Sequence, residues 1–390
     1  MSELKRFFNI FRLHPDYNNR VFGLDLMRAI AIIFVVQAHA IVLEKANTNF
    51  PWIKLIDGVE LFFVLSGFLI GGILLKLFHG TDSFGIKTIS NFWVRRWFRT
   101  LPNYYLVLIL NIIVVYLGLI KEDFSQFNWK FFLFIHNFSG PFYGFFWESW
   151  SLSVEEWFYL LFPIILGLIY FILKKYRITK KHIFLSAIFI FSLTPLLLRV
   201  VFASKIDVDQ FWLEVKIYKV VIYRLDSIAL GLFAAFIKYW YPDFWFKSRN
   251  ISFIAGILIS YLIMYTTWLP NAYVTKVFLL LFQSVGCFLL LPKFDSIRKA
   301  PPVLVKIFTH VSLISYSMYL LNLALVAEIM NTNFPPIGPL TAWASYGIYW
   351  ISVIAFSTLL YKYYEKPMMD LRDKWKKTNA ETSSSTNLKG

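Results

Sequence analysis

Ten stretches of about 20 predominantly apolar residues recur along the 390-residue chain, and they constrain its fold more than any other feature. An α-helix needs about 20 such residues to cross the roughly 30 Å hydrocarbon core of a bilayer. We therefore predict an all-α integral membrane protein, a bundle of about ten transmembrane helices. The predicted spans are residues 24–43, 57–78, 101–120, 150–173, 182–203, 220–240, 251–269, 273–291, 310–330 and 341–363.

The composition is typical of a chain that is embedded in lipid. Hydrophobic residues make up 58% of the sequence and charged residues 16%, whereas soluble domains average about 45–50% and about 25%. The formal net charge of +16 would favour nucleic acid as the partner of a soluble protein. Here the basic residues lie between the apolar runs, so we expect membrane lipids and no nucleic acid as partners. Cys287 is the only cysteine, which excludes an intrachain disulfide and a cysteine metal cluster, and we expect no metal.

The Lys and Arg residues are distributed unequally between the two sides of the predicted bundle. The two tails and the connections after every second helix hold 25 of them, and the remaining connections hold 7. Because cytoplasmic segments retain basic residues, both termini are expected to face the cytoplasm. We divide the chain into a basic cytoplasmic N-terminal tail, 1–23, a transmembrane domain, 24–363, and a cytoplasmic C-terminal tail, 364–390. The polar end of this last tail, 379–390, is expected to be disordered.

The first predicted helix carries three ionisable residues, Asp25, Arg28 and His39. A charged side chain inside a membrane costs a few kcal/mol or more, so each is a functional candidate. At about 100° per residue their spacing places all three on one face, with Arg28 near the cytoplasmic mouth and His39 roughly 16 Å further along the axis. We predict a catalytic role for His39, since the other histidines lie in tails, loops or helix ends and are expected to be solvated. For Asp25 two interpretations stay open, a contact with substrate and an ion pair that anchors the helix end.

Two other helices are expected to bring carboxylates towards His39. Glu60 lies about one turn below the outer surface on the second helix, and a carboxylate beside an imidazole fixes its tautomer and raises its basicity. The fourth helix adds the adjacent Glu155 and Glu156, of which one can face a cavity while the other caps the helix N-terminus. Spacing alone does not say which does which. We predict catalytic roles for Glu60 and Glu155.

A basic cluster, Arg95, Arg96 and Arg99, leads into the third predicted helix. Arg96 and Arg99 lie on one face of a helix at i,i+3, and arginine suits phosphate. The alternative is the positive-inside rule together with anionic headgroups. Because Arg28 is also directed into the bundle, we favour the interpretation that the cluster is the docking site of a large anionic cofactor. The sequence therefore predicts a cationic inner mouth and an outer layer of acid and histidine.

Further polar residues inside the predicted helices are substrate-binding candidates. Arg224, near the outer end of the sixth helix, is expected to pair with a glutamate of another helix. The polar side of the ninth helix is either a cavity wall or a hydrogen-bonded seam between helices. Together with Asp25, the candidates are Trp150, Ser153, Arg224, Asp226, Tyr316 and Asn322.

Motifs in several segments resemble those of acyltransferase family 3. They are residues 24–29 with His39 eleven positions after Arg28, and residues 58–70, 95–102, 150–159, 224–227, 314–320 and 365–367. The resemblance covers about residues 20–370 in the family's order. It implies a bacterial inner-membrane protein that takes an acyl group, usually acetyl from acetyl-CoA in the cytoplasm, and places it on a hydroxyl of a cell-envelope or exported sugar.

The resemblance also implies roles for single residues. The arginine and histidine of the family's first helix correspond to Arg28 and His39, and its Arg-x-x-Arg pair is Arg96 and Arg99. The chain departs from the family where Glu60 replaces a frequent Asp, and where a histidine of the ninth-helix motif is Asn322, which puts a proton-handling role there in doubt. We expect none of the soluble esterase-like domains that some members append, so transfer is done by the membrane domain or with a separate extracytoplasmic partner.

The resulting hypothesis is a membrane O-acyltransferase. Coenzyme A docks its phosphates at the three arginines, and His39 either deprotonates the acceptor hydroxyl or carries the acyl group, while Glu60 and Glu155 orient the imidazole. The alternatives are a transporter or flippase of a lipid-linked sugar, for which we find no paired inverted halves, and a structural subunit without turnover. The acyl group, the acceptor glycan or lipid-linked saccharide, and the oligomeric state, including a homo-oligomer, stay open.

Overall fold

The computed structural model describes residues 10–13, 15–17, 20–44, 56–80, 84–205, 207–266 and 268–372. This part of the chain contains no β-strand, and each of the ten predicted spans overlaps one long α-helix in it. The ten long helices are α1, Phe22–His39; α2, Gly58–Gly80; α3, Ile86–Tyr116; α4, Ser149–Leu173; α5, Lys180–Ala203; α6, Leu225–Trp240; α7, Arg249–Tyr265; α8, Tyr273–Ser296; α9, Pro302–Leu321; and α10, Pro339–Leu360. The all-α prediction is confirmed, whereas the polar segment 379–390 lies outside the described residues.

Eight of these helices, with their short extensions, are long and apolar enough to cross a membrane. They are α1 to α5 and α8 to α10. Helices α6 and α7 have 16 and 17 residues, and at 1.5 Å per residue each extends over about 24–26 Å, less than the roughly 30 Å hydrocarbon core. The chain is thus a multi-pass helical membrane protein, and the cytoplasmic placement of its termini stays a prediction.

Helix α3 begins at Ile86, well before the predicted start at residue 101. Arg95, Arg96 and Arg99 therefore lie within the helix and do not precede it. The predicted start was wrong because an apolar run marks only the part of a helix that lies in hydrocarbon. The backbone hydrogen bonds of a helix do not depend on apolar side chains. As a consequence, the basic cluster is held on a regular helix at defined angles.

Close packing of α2 against α6 depends on two glycines. A Cβ on Gly67 would lie 2.0 Å from the carbonyl oxygen of Ile228, and one on Gly231 would lie 2.1 Å from that of Val64. Small residues let membrane helices approach this closely. The contact aligns the two helices, and it brings Glu60, seven residues before Gly67, level with the residue seven before Gly231, which is Arg224.

Two groups of helices form the apolar core, and α1 contributes to both. One cluster centres on α2, α4, α5 and α6, and the other on α1, α3, α9 and α10. Helices α9 and α10 each continue into a π-helical segment, Asn322–Glu328 and Tyr361–Glu365. Single π turns inside helices are rare and occur frequently at functional sites, so the end of α9 is of particular interest.

Candidate active site

A cavity of about 550 Å³ lies among α1, α2, α3, α4 and α9. It brings together five of the residues singled out from the sequence, and their roles stay predictions. These are Arg28, Arg96, Arg99, Glu155 and Tyr316. Hydroxyl groups of Ser66, Thr100, Tyr159 and Tyr319 also line it.

Cations are concentrated at one end of this cavity. Arg28 lies near the start of α1, Lys76 near the end of α2, and Arg96 and Arg99 in the first half of α3, whereas Val59 and Ser151 line it from the opposite helix ends. Glu155 is the sole acidic residue among the described lining residues. The Nε atom of Arg96 is buried and has no hydrogen-bond partner. An anion bound at this end would balance charge and fill an unused donor.

Asp25 does not line the cavity. The residue is 4% exposed, and its carboxylate pairs with Arg20 (Nε to Oδ2, 2.6 Å) and Arg28 (Nη1 to Oδ1, 3.9 Å) and accepts a hydrogen bond from the Ser312 hydroxyl at 2.8 Å. Of the two interpretations of Asp25, the ion pair is the arrangement found. Its lone pairs are occupied by protein donors, which leaves little capacity for a substrate contact.

The adjacent glutamates of α4 have separate environments. Glu155 faces the cavity, while Glu156 is 7% exposed and accepts a hydrogen bond from the Thr100 hydroxyl at 2.6 Å. The interpretation of one of them as an N-terminal cap was wrong, because α4 begins at Ser149 and both lie in its second turn.

Sequence reasoning missed a hydroxyl pair beside Glu155. The Tyr159 and Ser66 hydroxyls are 2.7 Å apart, and both residues line the cavity. Two signals could have found them. Tyr159 lies four residues after Glu155 and hence on the same helix face, and Ser66 is a hydroxyl inside an otherwise apolar run.

His39 lies beyond the cavity wall. Its Nδ1 atom is 2.5 Å from Oδ1 of Asn322, and the residue is half-buried. The cavity-lining residues of α9 end at Tyr319, so Asn322 and its histidine partner lie about one helical turn further along. As their spacing predicts, Arg28 and His39 face the same neighbour, because Arg28 donates to Ser312 of α9 at 3.4 Å.

The expected contacts of Glu60 and Glu155 with His39 are not formed, because among the described residues the imidazole hydrogen-bonds Asn322 alone. Glu60 is fully buried, lies 2.9 Å from Nη2 of Arg224, and accepts a hydrogen bond from the Ser284 hydroxyl. The glycine-mediated contact of α2 with α6 explains this pairing, since a buried carboxylate left without a cation would be strongly destabilising. The prediction that Arg224 pairs with a glutamate of another helix is confirmed, and the role of Glu60 beside the imidazole is corrected.

Besides Asp25, Arg224 and Asn322, three further substrate-binding candidates do not line the cavity, because other protein groups contact their side chains. Asp226 forms a fully buried ion pair with Arg199 at 2.6 Å. Trp150 stacks on the guanidinium of Arg224, whose Cζ lies 5.4 Å from the ring centroid. Ser153 is fully buried, with its hydroxyl 3.3 Å from Nε2 of His136. These side chains support the bundle around the site.

The loop between α3 and α4 holds buried ionisable groups that the sequence did not reveal. His136, which we expected to be solvated, lies in parallel over the Phe131 ring at 4.2 Å, and burial lowers the pKa of His136 to about 3. Burial also raises the pKa of Glu122 to about 7 and that of Glu148 well above its usual range. An aromatic cluster encloses these groups, so polar residues in a loop segment of the sequence did not indicate exposure to solvent here.

Comparison with known proteins gives the family of the chain. A family model described as an acyltransferase domain (Acyl_transf_3) matches residues 21–362. A protein of Staphylococcus aureus (strain COL), provisionally named an O-acetyltransferase, is 28% identical over 382 residues, which cover 88% of this chain and 56% of the relative. The peptidoglycan O-acetyltransferase of Listeria monocytogenes (strain EGD-e) is 35% identical over 163 residues, 37% of this chain and 24% of the relative. A Bacillus subtilis (strain 168) protein, provisionally named a peptidoglycan O-acetyltransferase, is 32% identical over 169 residues, 39% of this chain and 25% of the relative.

The chain spans about half the length of the Staphylococcus relative that it matches. No solved structure matches it. The family model, by contrast, extends from the start of α1 to the end of α10 and so includes every helix that lines the cavity. The chain belongs to this acyltransferase domain family.

Proposed function

We propose that the protein is a membrane O-acetyltransferase that moves an acetyl group from acetyl-CoA, or another acyl-CoA, to a hydroxyl of a cell-envelope glycan. The donor enters from the cytoplasm, and the acceptor is modified at the outer side of the bacterial cytoplasmic membrane. The observation that carries this proposal is the cavity, with Arg28, Arg96 and Arg99 near one end and His39 one turn beyond its last α9 residue. Membership of the acyltransferase family supports the same class of reaction.

The cationic end of the cavity suits the phosphates of coenzyme A. Guanidinium groups bind phosphate through paired hydrogen bonds, and a phosphate oxygen would supply the acceptor that Arg96 Nε lacks. The remainder of the cavity, lined by hydroxyl and aromatic groups, would take the thioester arm. Because His39 lies outside the wall, we propose that the side chain of Tyr319 moves when the arm reaches the imidazole.

Two chemical routes are compatible with His39, and in each the proton of the acceptor hydroxyl ends on the thiolate of coenzyme A. As a general base, the imidazole takes the proton of the acceptor hydroxyl, the oxygen attacks the thioester carbonyl, the C–S bond breaks, and the thiolate of coenzyme A takes up the proton. As an acyl carrier, a ring nitrogen attacks the thioester and releases the thiolate. The acceptor hydroxyl then takes the acetyl group from nitrogen, and its proton passes to the thiolate.

The names of two relatives favour a cell-wall acceptor, because they specify peptidoglycan. We therefore propose peptidoglycan fragments as the first acceptor to test, ahead of lipid-linked saccharides. A result in which coenzyme A is released and the acceptor stays unlabelled would point to a separate extracytoplasmic partner for the last step.

The proposal is tested with purified protein in nanodiscs and radiolabelled acetyl-CoA, by following coenzyme A release and label on protein and glycan. His39→Ala should reduce transfer by at least about 10²-fold, while the exposed His182→Ala should match the wild type. Full activity of His39→Ala would refute its catalytic role. Movement of an unmodified lipid-linked sugar across vesicles, without acyl transfer, would favour the transporter alternative.

A further inference from the structure

The amide of Asn322 has a determined orientation. Asn322 is the first residue of the π-helical segment and is fully buried. Its Nδ2 atom donates to the carbonyl oxygens of Met318 at 2.9 Å and Tyr319 at 2.8 Å. An amide nitrogen has two hydrogens to donate, so both are used. Exchanging oxygen and nitrogen would set the amide oxygen against two carbonyl oxygens, and the observed orientation is therefore the stable one.

The remaining polar atom of this amide, Oδ1, faces His39. It lies 2.5 Å from His39 Nδ1 and accepts a longer hydrogen bond, 3.5 Å, from the Tyr349 hydroxyl. The Tyr349 hydroxyl also lies 2.9 Å from the Val36 carbonyl oxygen, which can only accept, so this hydroxyl acts as the donor in both contacts. An amide oxygen cannot donate, so Nδ1 of His39 must carry the hydrogen. In a neutral imidazole the other nitrogen, Nε2, then holds the lone pair.

The Nε2 atom is the nitrogen that stays available. Among the described residues the imidazole of His39 hydrogen-bonds Asn322 alone, and the residue is only half-buried. An amide, unlike a carboxylate or a second imidazole, does not ionise near neutral pH, so it holds this tautomer over the whole working range.

From this geometry we propose that Asn322 is a positioning residue, which fixes His39 as the Nδ1–H tautomer and thereby makes Nε2 the reacting nitrogen. The inference rests on the proposed function and deepens it. It replaces the interpretation of Asn322 as a substrate contact, and it holds for both routes, because Nε2 is the atom that takes either the hydroxyl proton or the acetyl group.

The experiment compares Asn322→Leu with Asn322→Asp. Leucine removes the acceptor, so kcat should fall at least tenfold while donor affinity stays unchanged. Aspartate keeps an acceptor for Nδ1–H, so most activity should return. Because a carboxylate stabilises the imidazolium, the acidic limb of the pH profile should move to higher pH. Both variants lose the Nδ2 donations, and the second carboxylate oxygen of aspartate would face the carbonyl oxygens of Met318 and Tyr319. A merely structural role would therefore impair Asn322→Asp at least as much as Asn322→Leu and leave the pH profile in place.

Asn111 supplies the matched control. It is fully buried in α3, and its Nδ2 donates to the carbonyl four residues earlier, at Val107, at 3.0 Å, as Asn322 does to Met318. Asn111→Leu and Asn111→Asp therefore make the same local changes away from the imidazole. Both should retain wild-type kcat and pH profile. Losses equal to those of the Asn322 variants would overturn the inference.

A spectroscopic readout is independent of activity. Nitrogen-15 NMR of histidine-labelled protein distinguishes protonated from unprotonated ring nitrogens, and His39→Gln assigns the signal. The wild type should show His39 with hydrogen on Nδ1, and Asn322→Leu should shift the population towards Nε2–H. Hydrogen on Nε2 in the wild type would refute the inference alone. An active His39→Ala variant would instead refute the proposed function, whichever tautomer is found.

Discussion

Glu155 and Glu156 are consecutive on α4, yet only Glu155 lines the cavity, while Glu156 accepts a hydrogen bond from the Thr100 hydroxyl at 2.6 Å. Adjacent residues on a helix point about 100° apart, so one carboxylate can face the arginines and the other can join α4 to α3. This difference assigns the two residues to different tasks.

The first prediction follows from that division. Glu155→Gln should lower kcat/KM for acetyl transfer by about 10²-fold, the usual range for a lost charge or proton carrier at a reacting centre. Glu156→Gln should stay within about threefold of the wild type, since an amide oxygen still accepts the Thr100 hydrogen bond. Steady-state kinetics of the two variants test this difference. Equal losses of kcat/KM in both would contradict the assignment of Glu155, and not Glu156, to the cavity chemistry.

Donor binding should depend on the arginines of α3. Arg96→Ala should raise KM for acetyl-CoA by about ten- to a hundredfold, because a hydrogen bond to a charged group contributes about 1.5–3 kcal/mol. The effect on kcat should be small, since a phosphate contact remote from the carbonyl contributes uniform binding. Arg249→Ala on α7, outside the cavity, is the control. An unchanged KM in Arg96→Ala would exclude this arginine from the donor site.

The buried pair of Glu60 and Arg224 should stabilise the bundle. Replacing both residues together should cost less stability than replacing Glu60 alone. Glu60→Gln leaves the guanidinium without its anion and should cost about 3–5 kcal/mol of folding stability. Glu60→Leu combined with Arg224→Met should recover much of that loss, because apolar replacements of a buried pair are often neutral. Thermal unfolding in detergent measures both. A double variant that is stable but inactive would restore a catalytic role for Glu60.

The stability of the loop between α3 and α4 should depend on pH through Glu122. Burial raises the pKa of this carboxyl to about 7 from an ordinary 4.5. Between these values the folded protein holds a proton that the unfolded chain releases, so this contribution to stability is lost as the pH rises from about 4.5 to 7. Glu122→Gln should remove the share of the decline that comes from Glu122 and leave that of Glu148, whose pKa burial also raises. Stability should still fall as the pH drops below about 6.5. There the unfolded chain binds a proton on His136, whereas folded His136 does not bind one until about pH 3.

Unfolding midpoints of the wild type and Glu122→Gln between pH 4.5 and 8 test this prediction. The two curves should separate as the pH rises and coincide at pH 4.5, where the carboxyl is largely protonated in the folded wild type. Parallel curves over the whole range would mean that Glu122 titrates normally.

The positions of the ten long helices and the face of α1 could be predicted because they depend on local properties. Apolar runs mark helices, although α6 and α7 proved shorter than the predicted spans and eight helices are long and apolar enough to cross a membrane. A period of 3.6 residues puts Arg28 and His39 on one side, where both meet α9 or its extension. The start of α3 could not be placed in the same way, since its first turns lie outside the apolar run. His136 shows the converse error, because a loop position in the sequence carries no information on burial by distant aromatic residues.

The sequence by itself determined that this chain is a membrane helical bundle, which residues carry charge within it, and which family it belongs to. Only the tertiary structure decided which partners these charges meet. Glu60 pairs with Arg224 because glycines let α2 approach α6, and His39 meets Asn322 because α1 packs on the end of α9. Hydropathy and periodicity are properties of one helix. A hydrogen bond between two helices requires the depth and the rotation of both to place donor and acceptor within a few tenths of an ångström of the right distance. Packing of the whole bundle sets this depth and rotation.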